Sequence, residues 1–171
     1  MKSDKPKIYE RHYEDSALIP AGAAEIFAFI DDHARVMSHM NKPSWMMGGG
    51  RGDISFDAGH GQKVGSHIRM SGKVFGITVF VDEVITRYEP PRIKIWETVG
   101  MPNLLVVGHY RMKVGIEPQE DESLLRLSID YNLPKTNAWL GKLFGRYYAK
   151  WCVQRVIKDT RSYFIKKQKL N

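Results

Sequence analysis

Among the side chains able to do chemistry, one carboxylate occupies an unusual position. Glu97 shares its alternation with Ile93, Ile95 and Val99 in a segment that reads as a strand, with Arg92, Lys94, Trp96 and Thr98 opposite. If the apolar row lines an interior space, the Glu97 carboxyl is desolvated and its pKa rises. That suits it to general acid work or to anchoring a polar group of a ligand. The competing reading is a bulge that reverses the alternation, or a strand end already in water. Tyr110 and Tyr131 also place hydroxyls on apolar rows, where a phenol either orients a ligand or bonds a backbone carbonyl of the core. Met37, Met40, Met70 and Met112 offer adaptable walls to a pocket or simply fill the core.

Other chemistries find no support. The six histidines, His12, His33, His39, His60, His67 and His109, do not form a ligand set: His33 and His39 are out of phase on a helix, and His67 and His109 fall on the polar rows of their strands. No metal site and no cofactor are expected. Cys152, the single cysteine, sits on an apolar helical row with Ala149, Val153 and Val156 and reads as a buried, inert thiol. The run Gly48-Gly49-Gly50-Arg51-Gly52-Asp53 opens a strand and lacks the Gly-Lys-Ser/Thr ending of a phosphate loop, so a bend or bulge at a sheet edge fits it better. No nucleophile elbow is present.

The elements that must position these residues follow one order. A first strand runs over about Tyr9 to Leu18, and after Pro20 an amphipathic helix covers Ala21 to Ile30, with Ile26, Phe27, Phe29 and Ile30 as its buried stripe. A second short helix is expected over Ala34 to Met40. From Trp45 onward the period switches to two, as in Ile68, Met70, Gly72 and Val74 against His67, Arg69, Ser71 and Lys73. Val79, Val81 and Val84 continue the strand signal to the Glu89-Pro90-Pro91 turn. Further strands carry Ile93 to Val99, Tyr110 to Ile116 and Leu125 to Leu133, so one antiparallel meander is expected.

After Pro134 the pattern is helical from Thr136 towards Lys166, a length of ~45 Å at 1.5 Å per residue. Leu140, Leu143, Phe144, Tyr147 and Trp151 cluster on one side of it. Ala149, Cys152, Val153, Val156, Thr160 and Phe164 cluster on nearly the opposite side. A kink or break is expected at Gly141 and Gly145, giving a short piece over the rim of the sheet and a long piece across its concave face. A helix that long must be gripped by the sheet, and a curved sheet around one helix encloses a hollow.

The bulk properties agree with a container. With 171 residues, 43% of them apolar, the chain supports one domain over 1–171 with an ordered core of about 9–165. No apolar run is long enough to span a membrane and the N-terminus lacks a signal-peptide core, so a cytoplasmic location is expected by default. The net charge of +7 is partly in the tails, at Lys2, Lys5 and Lys7 and at Lys166, Lys167 and Lys169. Such tails allow peripheral contact with anionic lipid or act only as solvated ends. No nucleic-acid motif is present.

Several stretches carry a resemblance: Ile19-Pro20-Ala21 leading to Glu25-Ile26-Phe27, Tyr88-Glu89-Pro90-Pro91-Arg92, Trp96-Glu97, Gly108-His109-Tyr110 and Tyr147-Tyr148-Ala149-Lys150-Trp151-Cys152. Together they resemble the START-like SRPBCC superfamily, in the polyketide cyclase/dehydrase and lipid-transport group, over roughly Tyr9 to Phe164. The resemblance implies an α+β helix-grip fold: a seven-stranded antiparallel sheet, two small helices after the first strand and a long C-terminal helix around a cavity. It implies cargo such as lipids, polyketides or aromatic metabolites, and it transfers no catalytic residue.

The expected function is therefore binding or carrying a hydrophobic small molecule. The lining is expected to include Met70, Glu97, Tyr110, Met112, Leu127, Ile129, Tyr131, Val153 and Val156. The alternatives are a cyclase or dehydratase using Glu97 and a tyrosine, and a module whose basic surface docks on a partner. Oligomeric state is left open.

Overall fold

The computed structural model describes residues 7–33, 35 and 52–170. Strand β1 (Arg11–Ile19) leads into helix α1 (Ala23–Asp31). There follow β2 (Gly52–Phe56), β3 (His67–Val74), β4 (Ile77–Glu89), β5 (Ile93–Asn103), β6 (Tyr110–Pro118) and β7 (Ser123–Tyr131), and the chain closes with α2 (Ala138–Gln168). The seven strands form one antiparallel sheet in the order β1-β7-β6-β5-β4-β3-β2. Consecutive strands pair from β2 to β7, which is the expected meander, and β1 returns to pair with β7 (Arg11 opposite Tyr131, Ile19 opposite Ser123). The second short helix, with Met37 and Met40, and residues 48–51 of the glycine run lie outside the described residues, while Gly52 and Asp53 at its end open β2.

The inner face follows from the alternation of apolar residues. Ile68 and Met70 of β3, Val81 and Ile85 of β4, Met112, Val114 and Ile116 of β6, and Leu125, Leu127 and Ile129 of β7 all point to the side where α1 and α2 lie. Most are fully buried, and each contributes roughly 1.5–3 kcal/mol by leaving water. Helix α1 buries Ile26, Phe27, Phe29 and Ile30. The Phe27 ring meets Tyr88 of β4 edge-on at 5.7 Å, and Phe29 lies 4.6 Å from Tyr163 and 5.8 Å from Phe164 of α2. The short helix thus ties the sheet to the far end of the long one.

Helix α2 is a single helix of 31 residues, about 46 Å long, with Gly141 and Gly145 inside it. The break expected at these glycines does not occur. Their role is close approach: a Cβ on Gly141 would lie 2.5 Å from Pro134 Cδ and 3.0 Å from the Val106 carbonyl oxygen, and one on Gly145 would lie 3.0 Å from the same oxygen. The helix packs mainly on β1 and β7 through Ala149, Val153, Ile157, Thr160 and Phe164. Its other apolar row, Leu143, Phe144 and Tyr147 with Trp139, is exposed.

Strand β5 reads in the opposite sense to the sequence expectation. Trp96 pairs with Met112 and Lys94 with Val114, both inward-facing, so Lys94, Trp96 and Thr98 face the interior. Ile93, Ile95, Glu97 and Val99 face outward. The corresponding irregularity is in β4, where a register shift between Ile85 and Arg87 changes which parity faces in: Val81, Glu83 and Ile85 before it, Tyr88 after it.

Candidate functional site

At the centre of the inner face stands a carboxylate that the sequence reading missed. Glu83 of β4 pairs with Ile68 on one side and Thr98 on the other, and it is 2% exposed. Burial pushes its pKa up to about 7, against the opposing pull of hydrogen bonds from Tyr110 and Trp96 and of the Lys94 charge. The Tyr110 hydroxyl of β6 donates to Glu83 Oε1. Burial and the Glu83 carboxylate hold the Tyr110 phenol well above its ordinary value.

Helix α2 faces this pair with Tyr148 and Cys152, one turn apart. The two interact through hydroxyl and thiol, and both feel the Glu83 charge. Burial drives the Cys152 thiol up to about 12, so it is no thiolate nucleophile at neutral pH. Tyr110, Tyr148 and Cys152 are enclosed enough for burial to raise the pKa of all three, yet each keeps accessible surface. On the neighbouring strands Ile54, Phe56 and Met70 also face inward while only half-buried.

A second polar cluster lies beside the first. Lys94 Nζ donates to Asp31 Oδ1 at 2.5 Å and to His33 Nδ1 at 3.1 Å, while the Tyr88 hydroxyl donates to Asp31 Oδ2 at 2.7 Å. Desolvation lowers the Lys94 pKa against the pull of Asp31. Desolvation and the adjacent ammonium push His33 down to about 4, so its ring is neutral and Nδ1 accepts the Lys94 proton. The imidazole also meets Trp96 edge-on at 5.2 Å. Tyr88 reaches Asp31 only because of the β4 register shift.

The residues proposed from sequence fall into three groups. Met70, Tyr110 and Met112 lie on the inner face of the sheet and Val156 on α2, all half-buried but Met112, which is buried. Leu127, Ile129, Tyr131 and Val153 are almost wholly buried, with β7 and α2 packed together at this seam. Glu97 is a correction: it lies on the outer face opposite Arg111, where the Tyr9 hydroxyl donates to it at 3.1 Å and Lys7 Nζ lies 3.8 Å away. There it holds the segment preceding β1 against β5.

Glu83 was legible in principle, since it continues the row of Val79 and Val81 and leads to Ile85. Lys94 was hidden, because the neighbouring isoleucines suggested the opposite face. Among the described residues no group of three or more His, Cys, Asp or Glu side chains is placed to hold a metal, and no buried polar side-chain atom lacks a hydrogen-bond partner.

A family model described as polyketide cyclase / dehydrase and lipid transport matches residues 10–164. The chain belongs to that family. No curated protein matches the sequence. Solved structures share the START-like fold. A point mutant of norcoclaurine synthase from Thalictrum flavum, in complex with a transition-state analogue, is 10% identical, with 92% of this chain and 96% of that chain covered at a TM-score of 0.64. Ara h 8.0201 is 14% identical over 91% and 98% of the two chains, also at 0.64. TTHA0849 from Thermus thermophilus is 11% identical over 92% and 99%, at 0.63. Likeness at these identities establishes the helix-grip fold of this family member and nothing finer.

Proposed function

We propose that this protein binds or carries a hydrophobic small molecule with at least one polar group, held between the inner face of the sheet and α2. The supporting observation is the enclosed but accessible surface of Tyr110, Tyr148 and Cys152, set among the half-buried apolar side chains of β2 and β3. The apolar walls supply the driving force, at roughly 25 cal/mol per Å² before the costs of association. The Glu83–Tyr110 pair supplies the polar contact that orients the cargo. Met70, Met112 and Val156 complete the wall in this reading. Native mass spectrometry of the protein from its own source, followed by organic extraction, tests it. A co-purifying lipid, polyketide or aromatic metabolite supports the proposal. A protein that carries nothing and also fails to take up an environment-sensitive apolar dye refutes it.

A second reading is favoured by the ionisation of Glu83. A carboxyl that titrates near pH 7 exchanges protons readily at neutral pH, and Tyr110 extends it towards the hollow. Acid–base chemistry on a polyketide-like substrate would use this pair rather than Glu97. A Glu83→Gln protein that retains full turnover of any substrate found for the wild type ends that reading.

A further inference from the structure

Three connections meet at one end of the sheet: the β3–β4 turn, the β5–β6 loop and the β7–α2 junction. The register places them together, with Val74 opposite Ile77, Phe80 opposite Asn103 and Tyr110 opposite Tyr131. No Asp or Glu occurs between Asp57 and Asp82, between Glu97 and Glu117, or between Asp130 and Asp159, the three stretches that contain them. Of the acids near this end, Glu10 and Asp53 sit at the two edges of the sheet, and Asp130, one residue in from Tyr131, is already paired with His12 and Arg111. The opposite end carries Glu89 in the β4–β5 turn and Glu117, Glu120, Asp121 and Glu122 around the β6–β7 turn. The molecule is therefore polarised along its strands.

The same end also carries a group of large exposed apolar side chains. Phe75 at the β3–β4 turn is 74% exposed, and Met101, turned out of β5 at Gly100 (φ 67°), is 81% exposed. On α2, Trp139 and Tyr147 are 64% and 71% exposed, and Leu143 lies between them on the same face. Lys142 and Arg146 flank that face, with Lys135 just before the helix and Lys73 just before Phe75, all exposed. Asp15 of β1, a strand packed against α2, accepts from Gln154 further along the helix at 3.0 Å. A rim of large apolar groups interleaved with cations, without acids, matches the interface of a bilayer with negative headgroups.

We infer that this end of the sheet docks on an anionic membrane surface, with Phe75, Met101, Trp139 and Tyr147 entering the headgroup layer and Lys142 and Arg146 meeting lipid charge. The docking inference stands on the surface alone. Its extension, that the cargo of the hollow comes from the membrane, rests on the function proposed above.

Vesicle sedimentation of the full chain tests the docking, with phosphatidylcholine vesicles compared with phosphatidylcholine containing phosphatidylserine. The wild type is expected to pellet only with the anionic vesicles, and less at high salt. A Lys142→Glu/Arg146→Glu protein is expected to bind at least about tenfold more weakly, and Trp139→Ala several-fold more weakly. Charge reversal in the tail, Lys166→Glu/Lys169→Glu, is expected to leave binding within about twofold, since those lysines lie at the other end of α2. No vesicle binding by the wild type, or loss on tail reversal with retention on helix reversal, overturns the inference. Uptake of an apolar dye, measured on the same proteins, separates the two readings. Lost docking with retained dye uptake identifies a surface effect, and docking without dye uptake refutes the cargo while leaving the membrane surface in place.

Discussion

The Lys94 ammonium, 1% exposed, lies 2.5 Å from the Asp31 carboxylate at the end of α1. An ion pair so removed from water contributes little net stability when intact, because desolvation of both partners offsets their attraction. Losing one partner is different, since the other is left charged and unpaired. Lys94→Met is expected to destabilise the fold by about 3–5 kcal/mol, read from urea unfolding. Replacing both partners, Lys94→Met with Asp31→Asn, is expected to recover part of that loss. A Lys94→Met protein as stable as the wild type would show that Asp31 is hydrated.

The two clusters carry opposite pH dependences. His33 is held neutral down to about pH 4, against 6.5 in the unfolded chain, so the unfolded state binds the extra proton and stability falls as pH drops from 6.5 to about 4. Glu83 keeps its proton up to about pH 7, against 4.5 unfolded, so its contribution falls as pH rises from 4.5 to about 7. Each amounts to on the order of 3 kcal/mol, and over the shared window they largely cancel. Glu83→Gln is expected to expose a steep loss of stability on acidification. His33→Gln is expected to expose the reverse slope, with stability falling towards neutral pH. Unchanged slopes in both variants would contradict the assignment.

Gly141 and Gly145 separate two effects of adding a methyl group. Alanine favours a helix over glycine by about 1 kcal/mol. At Gly141 the new Cβ meets Pro134 Cδ at 2.5 Å as well as Leu133 and the Val106 carbonyl, so Gly141→Ala is expected to be destabilising despite that gain, by roughly 1–3 kcal/mol. At Gly145 only the Val106 oxygen is tight, at 3.0 Å, and the gain nearly offsets the strain. Thermal unfolding of the two variants should therefore rank Gly145→Ala well above Gly141→Ala.

Cys152 is placed to report on the proposed binding of cargo. With its thiol pushed up to about 12, only about one molecule in 10⁴ is a thiolate at pH 8. Alkylation is expected to be slower than for a free cysteine by three orders of magnitude or so, and slower again when cargo occupies the space beside Tyr148. Rapid labelling at neutral pH, indifferent to added apolar ligand, would place the thiol outside the pocket.

The fold was readable because its strongest signals are periodic: α1, the apolar rows of β3, β6 and β7, and the length of α2. The site was readable only in part. Tyr110 and Met112 stand on strands whose apolar and charged rows separate cleanly. In β5 both rows mix large apolar and charged side chains, so Ile93 and Ile95 outweighed Trp96, and Glu97 was assigned inward in place of Lys94. Contacts from another part of the chain decide that strand: Asp31 and His33 receive Lys94, and Tyr9 with Lys7 receives Glu97. No local window contains both partners. The glycines of α2 misled for a related reason, because what crowds them, Pro134 and Val106, lies outside the helix.

Between Ile85 and Arg87, β4 holds one residue more than its partner strand requires, so a single strand carries two reading frames. Glu83 is set by the first frame and Tyr88 by the second, which is why an odd number of steps separates two side chains on the same face. Straightening the strand without losing a residue would be a frameshift in space: the sheet would survive, but Tyr88 would swing away from Asp31 while Glu83 stayed with Tyr110; deleting Thr86 itself would remove the bulge and leave Tyr88 opposite Lys94. Inheritance of both clusters is thus a matter of counting as well as of residue type. A descendant that keeps the bulge but sets the acid and the tyrosine an even number of steps apart has kept the letters and lost one of the two sites.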